Sequence, residues 1–430
     1  MGGHEEPNPY GVLTMTNRVA ELKQAFTALY GEAPSVTVRA PGRINLIGEH
    51  TDYSLLPVLP LAIPLGTRVA AASDSGGLVT ASSRQFQGTA RLERGGLGQL
   101  PATPWHRYLW GALKMLEGRG APDSGARLLI EGDLPTTGGL SSSSSFTMAV
   151  LLGLSELWGL GLSAEELVAL AIVAERQVGV ESGGMDQTII GLARAGAALR
   201  IDFEPPAVRA VALPEELRLV VAYSGEQAPK GGSARDAYNE RVVGCRLAAA
   251  LLGARLGVEP GTPPVLGRLA GLAGEEEIAR LPERGCAAAV AREAGVEVDV
   301  LVKLTAGVFS DAADVWVRPA ASHVLSEARR VDAAEQALGA GDLAGLGRLM
   351  DASHGSLAED YRCSSPGLDR LCQAMRNGGA LGARLTGAGF GGYAIAAATP
   401  DTVEAVLAAA NQVSPGPVFL ATAAGGMERL

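Results

Sequence analysis

Residues 135–146 read Pro135-Thr-Thr-Gly-Gly-Leu-Ser-Ser-Ser-Ser-Ser-Phe146 and open directly into an apolar run that ends near Leu160. A glycine pair, then hydroxyls, then fifteen residues of helical character is how a chain presents several backbone N–H groups to an anion. The helix start adds partial positive charge, and glycine lets a phosphate approach the backbone. No lysine follows the glycines, so this is not a Walker A loop. A Ser-rich linker is the plain alternative, but linkers rarely lead into a long apolar helix without polar spacing.

Outward from this loop the pattern mixes strands and helices. Helical spacing covers 14–31, with a cap at Thr16 or Asn17, and again 164–178. Ser35–Ala40 alternates as a strand, an irregular polar segment (Pro41–Ser54) follows, and Leu59–Ala72, Ala126–Ile130 and 216–223 read as further strands. Beyond a Gly/Ser/Lys-rich loop at 224–233 the chain is Ala-rich and helical to about 345. It then gives strand, Gly-rich turn and strand over 384–399. No repeat of solenoid period appears. Mixed elements without strict alternation predict an α+β protein in two lobes, 1–215 and 216–430, divided loosely near 205–225.

The chain has 430 residues, 47% apolar and 19% charged, which is ample for two cores and excludes wholesale disorder. With 36 Lys+Arg against 46 Asp+Glu, the formal charge of -10 argues against nucleic-acid backbones and anionic membranes as partners. The acidic start resembles no secretory signal, Glu6 stands where a myristoylation motif needs Ser or Thr, and no run reaches a membrane-spanning length. Cys245, Cys286, Cys363 and Cys372 lie far apart, without metal or disulfide spacing. The expectation is a reduced, cytoplasmic, soluble protein, with oligomeric state open.

Two further segments carry chemistry. Arg39-Ala-Pro-Gly-Arg-Ile-Asn-Leu-Ile-Gly-Glu-His-Thr-Asp-Tyr53 crowds Arg43, Asn45, Glu49, His50 and Asp52 between glycines. Carboxylates beside an imidazole suit the donors and acceptors of a sugar, though a surface turn or partial metal site has the same spacing. Leu385-Thr-Gly-Ala-Gly-Phe-Gly-Gly-Tyr-Ala-Ile-Ala396 marks a place where backbone and ligand, or two backbones, come very close.

In this order the three segments resemble the GHMP family of small-molecule kinases, and within it the galactokinase branch, whose signature 42–53 matches with Ile44 for Val. Ala174-Glu175, Gly183-Gly-Met-Asp-Gln187, Tyr238-Asn-Glu-Arg241, His323–Glu327, Ser353-His354 and Asp360-Tyr361 resemble further family segments. The resemblance implies a ribosomal S5-like N-terminal lobe and a ferredoxin-like C-terminal lobe. It implies ATP and Mg²⁺ as cofactors, and transfer of the γ-phosphoryl group to the C1 hydroxyl of D-galactose. Asp186 would be the catalytic carboxylate, with Arg43 beside it. Glu49, His50, Asp52, Gly183 and Tyr238 would meet the sugar. Pro135, Gly138, Gly139, Leu140, Ser141, Ser142, Ser143 and Ser144 would hold the nucleotide's phosphates, and Ser143 with Glu175 the metal. Trp105 resembles the aromatic that lines the adenine pocket, or is a core residue. Physically, a carboxylate in reach of the hydroxyl can accept or orient its proton, and a guanidinium can offset phosphate charge.

The match has departures. After Tyr53 the family usually continues Asn-Gly-Gly-Phe, whereas this chain reads Ser54-Leu55-Leu56-Pro57. Leucine does not readily adopt φ > 0, so the turn beside the sugar site is expected to be reshaped. Thr137, Ser144, Gly184 and Tyr393 also differ from common residues, as does the loop 225–233. These changes leave open a kinase of L-arabinose, galacturonate or N-acetylgalactosamine, with Lys230 or Arg235 as a cation for a C6 carboxylate. A non-catalytic sugar and ATP sensor is the remaining alternative.

Overall fold

Strand β1 (Val36–Asn45) is buried along its whole length and runs through the segment expected to be irregular from Pro41 onward. The correction has a simple cause. Its neighbour β2 (Pro60–Asp74) keeps pairing past a register break at Pro41/Gly42, joining Gly42–Asn45 to residues 63–60. The bulge takes up the proline, which has no N–H to donate. Gly66 permits it, since a Cβ there would lie 2.3 Å from the Ala40 carbonyl oxygen.

A computed structural model of the chain describes residues 15–135, 138–179, 183–227, 232–302 and 310–430. Strands β3 (Leu78–Ser83), β4 (Thr89–Glu93) and β5 (Gly125–Gly132) extend the first sheet in the order β1-β2-β5-β3-β4, with β3 and β5 parallel. Helices α1 (Met15–Tyr30), α2 (Pro104–Leu116), α3 (Ser142–Trp158), α4 (Ala164–Gln177) and α5 (Met185–Leu192) belong to this lobe. α3 is buried almost all round, as a helix apolar on every face must be. Its Gly153 rests on Val38 of β1 and Val69 of β2.

Hairpin strands β6 (Ala197–Phe203) and β7 (Pro206–Ala212) lead to β8 (Arg218–Tyr223) and the long helix α6 (Gly232–Leu256). Short elements follow: α7 (Glu275–Ala279), β9 (Arg284–Cys286), α8 (Ala287–Ala294), α9 (Val298–Val302) and β10 (Asp314–Trp316). Then come α10 (Arg318–Ala340), α11 (Leu343–Glu359), α12 (Pro366–Asn377), β11 (Gly382–Thr386), β12 (Tyr393–Ala398), α13 (Val403–Val413), β13 (Val418–Ala421) and β14 (Glu428–Arg429). The second sheet is antiparallel throughout, in the order β11-β12-β8-β13.

The period-2 alternation of β8 explains how the lobes join. Val220 and Ala222 face a core shared with α12 and α13. Leu219 and Val221 face the other way, onto Ile44, Leu46, Ile47, Leu59 and Leu61 of the first lobe. The chain then returns. Ala424 N–H donates to Ala62, Gly426 to Ala193 and Met427 to Ile190, and β14 pairs with β1 at Val38 and Arg39. The last residues of the expected 216–430 lobe therefore complete the first sheet, because β1 otherwise presents an unpaired edge there.

Candidate active site

Gly42 is the reason the site can form. A Cβ on it would fall 2.8 Å from the Leu140 carbonyl oxygen, so only glycine lets β1 pass directly beneath the hydroxyl-rich loop. Arg43 N–H then donates to Leu140 O at 3.3 Å. The Arg43 guanidinium grips Asp186 with two bonds, Nε to Oδ1 at 2.8 Å and Nη2 to Oδ2 at 3.0 Å. Its Nη1 donates to the Gly139 carbonyl, and the Ser141 hydroxyl donates to Asp186 Oδ2. Three donors thus occupy a carboxylate that offers about four lone-pair sites, which leaves acceptor capacity on Oδ1. Asp186 sits in the first turn of α5 and faces a cavity of about 310 Å³.

That cavity is lined by Arg43, Glu49, His50, Asp52, Ser143, Ser144, Glu175, Met185, Asp186, Tyr238, Asn239, Gly387 and Ala388. Most of the expected sugar and catalytic positions are therefore in one place, although 143 residues separate Arg43 from Asp186.

The serine run divides its work. Ser141 has left-handed backbone (φ +58) and gives its hydroxyl to Asp186 rather than capping α3. The first-turn N–H groups of α3 consequently have no side-chain cap and remain suited to an anion. Ser143 lies within hydrogen-bonding reach of Tyr108. Ser144 donates to Glu175 Oε2 at 3.1 Å. Ser145 is structural, donating to Ala40 O at 2.8 Å and accepting from Thr67 N–H. Ser142 is half-buried, and Leu140 is a core residue whose carbonyl faces Arg43. Pro135 is half-buried at the exit of β5.

Glu175 is 3% exposed, and its Oε1 has no hydrogen-bond partner. Burial pushes its carboxyl up to about 7, against the Ser144 hydrogen bond. A buried carboxylate oxygen with nothing to satisfy it fits a divalent cation. Among the described residues no cluster of three or more His, Cys, Asp or Glu could hold one, so such an ion would take most ligands from phosphate and water.

The sugar signature is built around buried charge. Glu49 Oε1 accepts from Gly387 N–H at 2.7 Å, and burial raises its carboxyl above the usual range, opposed by the Arg384 and Arg43 guanidiniums. Arg384 is fully buried and donates to Asn45 O at 3.1 Å. Burial pushes the Glu327 carboxyl up, but Arg384 and Arg330 outweigh it and hold it at about 2. Glu327 also accepts from Gly48 N–H and from Ser353. Burial pushes Asp52 up to about 6, reinforced by the neighbouring Asp186 charge. Gly183 makes that proximity possible, since a Cβ there would come within 2.4 Å of Asp52 Cγ.

His50 has both ring nitrogens engaged within the protein, by Tyr53 Oη and by the Ala388 carbonyl, each at 3.1 Å. A carbonyl only accepts, so Nε2 carries the proton and Nδ1 accepts from Tyr53. Burial pushes the ring down to about 3, which keeps it neutral. Tyr53 in turn contacts Tyr361, and the Tyr238 ring packs 5.6 Å from His50 and 5.7 Å from Tyr53.

The two glycine-rich segments cross backbone to backbone. A Cβ on Gly138 would lie 2.7 Å from Gly392 Cα, and one on Gly387 2.8 Å from Gly139 Cα. Of the two readings left open for the third motif, this is the second. Trp105 is outside the cavity lining. It packs among Phe86, His106 and Phe146, and its Nε1 donates to Gln87 O. Thr137 and Lys230 lie outside the described residues, as does the side chain of Arg235.

Against expectation, Leu55 takes φ +60 and closes a tight turn, with Leu55 N–H donating to Asp52 O and Leu56 N–H to Thr51 O. The Thr51 hydroxyl braces it on Gly48 O and Pro57 O, and Leu56 is buried in the C-terminal core. These contacts over-determine a backbone conformation that costs leucine about 1–2 kcal/mol. Sequence reasoning gave no role to Asn239, Met185, Gly387 or Ala388, or to the Arg384–Glu327 pair beneath the site. All but Arg384 lie in segments singled out from the sequence, but only the fold shows that these particular side chains meet.

The galactokinase galactose-binding signature matches residues 24–73, the GHMP kinase N-terminal domain 107–194 and the GHMP kinase C-terminal domain 334–416. A galactokinase of Chloroflexus aurantiacus is 36% identical over 393 residues, 91% of each chain. The chain belongs to the galactokinase family. A Staphylococcus carnosus galactokinase is 34% identical over 90% of this chain and 91% of its own. The crystal structure of Lactococcus lactis galactokinase complexed with galactose superposes with a TM-score of 0.81 at 30% identity, covering 96% of this chain and all of that one. A mevalonate kinase shares the fold at TM-score 0.61 and 16% identity, over 90% of this chain and 99% of that one. The two-lobed α+β kinase architecture is thus that of the GHMP fold.

Proposed function

We propose that this protein transfers the γ-phosphoryl group of ATP to the C1 hydroxyl of D-galactose, in the cytoplasm. The observation that carries the reading is Asp186, clamped by Arg43 and Ser141, facing one cavity with Glu49, Asp52 and the serine-lined entrance of α3. Its remaining lone pair would accept or orient the sugar hydroxyl proton, and Arg43 would offset the charge developing on the transferred phosphoryl group. The uncapped N–H groups of α3 would hold phosphate oxygens. Ser143 and Glu175 would hold Mg²⁺, which neutralises phosphate charge when bound. Asp52 and Glu49 would accept hydrogen bonds from sugar hydroxyls, and Leu55 keeps the turn that places Asp52 closed. The lobes would part near residues 205–225. Four free cysteines suit a reducing compartment.

The test is ADP release across galactose, L-arabinose, galacturonate and N-acetylgalactosamine. Galactose should rank first, and galactose 1-phosphate should be the product. Asp186→Ala should lower turnover by about 10²- to 10⁴-fold while nucleotide still binds. Another sugar ranking first would replace galactose, and full turnover by Asp186→Ala would remove the assigned chemistry.

A further inference from the structure

Asn239 is 1% exposed, lines the cavity, and its Oδ1 has no hydrogen-bond partner. A buried carboxamide left unsatisfied is costly, and an apolar side chain of similar size would fill the same space without that cost. At the sugar-signature end of the cavity Glu49 is engaged by Gly387 and His50 by Tyr53 and Ala388, and the other unpartnered oxygen of the lining, Glu175 Oε1, belongs to the carboxylate placed at the α3 entrance. α6 holds Asn239 in place firmly. Arg241 Nε donates to Tyr361 O at 2.8 Å, and the adjacent Tyr238 packs on His50 and Tyr53, at the sugar-signature end of the cavity.

Resting on the sugar-kinase reading above, we propose that the Asn239 carboxamide hydrogen-bonds a hydroxyl of the bound monosaccharide and so helps determine which sugar is accepted. A carboxamide both donates and accepts, as a hydroxyl does, so the pair satisfies both groups on binding. A site that loses such a partner discriminates against analogues lacking the hydroxyl.

The experiment measures binding of D-galactose and its monodeoxy analogues to the full-length wild type, Asn239→Ala and Asn239→Leu, by calorimetry, with thermal melting of each ligand-free protein. Wild type should bind one deoxy analogue about tenfold more weakly because Asn239 loses its partner. Both variants should bind galactose about tenfold more weakly, and bind that one analogue as well as galactose. Asn239→Leu should melt at or above the wild-type temperature. Equal weakening of galactose and every analogue, or unchanged galactose affinity, overturns the proposal. If both variants fail to fold, Asn239→Asp decides by the same pattern: an unaltered analogue profile overturns the proposal, a changed one supports it. Wild type that neither binds galactose nor releases ADP with any sugar instead overturns the kinase reading.

Discussion

Asp52, proposed to meet the sugar, sits where burial costs stability. It lies buried against Asp186, and its carboxyl is pushed up to about 6 from the ordinary 3.8. Between those values the folded state keeps a proton that the unfolded chain has released, so this group's contribution to stability falls as pH rises from about 4 to about 6. Above that window Asp52 is ionised in both states and the full cost is present. Asp52→Asn should therefore raise the melting temperature at pH 7.5, by a gain of up to about 3 kcal/mol. The gain should shrink as pH falls toward 4, while galactose affinity drops. A melting temperature that falls equally at both pH values would show that the buried charge is fully compensated. The type and spacing of Asp52, Glu49 and Arg43 were legible in the chain. That Ser141 turns its hydroxyl to Asp186 while Ser145 ties α3 to the sheet was not, because five consecutive serines are identical until a backbone aims them.

Among elements, the crossing of the two glycine-rich loops has the strictest steric demand. Gly138 needs a positive φ of +81, and a Cβ on it would clash with Gly392 Cα, while one on Gly392 would be a tight contact at 3.2 Å. Gly138→Ala combines a backbone penalty with a backbone clash, so we expect a loss of at least about 2 kcal/mol. ADP release should fall with it, because Gly139 and the α3 entrance move. Unchanged denaturation midpoint and turnover would show that the loops part at little cost. The sequence announced close approach here without saying what approached. Leu55 is the opposite case, where local propensity argued for a reshaped turn. The local Thr51 braces and the burial of Leu56 in the C-terminal core together override it, outweighing a preference of about 1–2 kcal/mol.

At the scale of the molecule, the lobes share apolar surface alongside the buried polar contacts that tie residues 45–49 to Glu327, Arg384 and Gly387. Leu219 and Val221 of β8 pack on Ile44 and Leu46, beneath the sugar signature. The C-terminal strand reinforces this by pairing with β1, with Leu430 N–H donating to Thr37 O at 2.8 Å. Removing residues 424–430 should lower the melting temperature by a few degrees, since a chain of 430 residues shifts by about 1 °C per kcal/mol and the segment's several backbone hydrogen bonds and strand pairing are lost together. It should leave the sugar ranking intact, because none of the removed residues lines the cavity. A changed ranking would show that the strap shapes the site.

What the chain determined alone was the alphabet of the chemistry: a Gly- and Ser-rich helix start suited to an anion, a carboxylate-rich signature, and glycines where backbones must touch. Those follow from local propensity and side-chain type. Only tertiary structure decided which serine meets Asp186, which backbone crosses Gly138, and that Asn239 lies against the sugar signature without a partner for its Oδ1. Those are contacts between segments far apart in the chain, and packing at that distance obeys volume and charge balance, which no local pattern encodes.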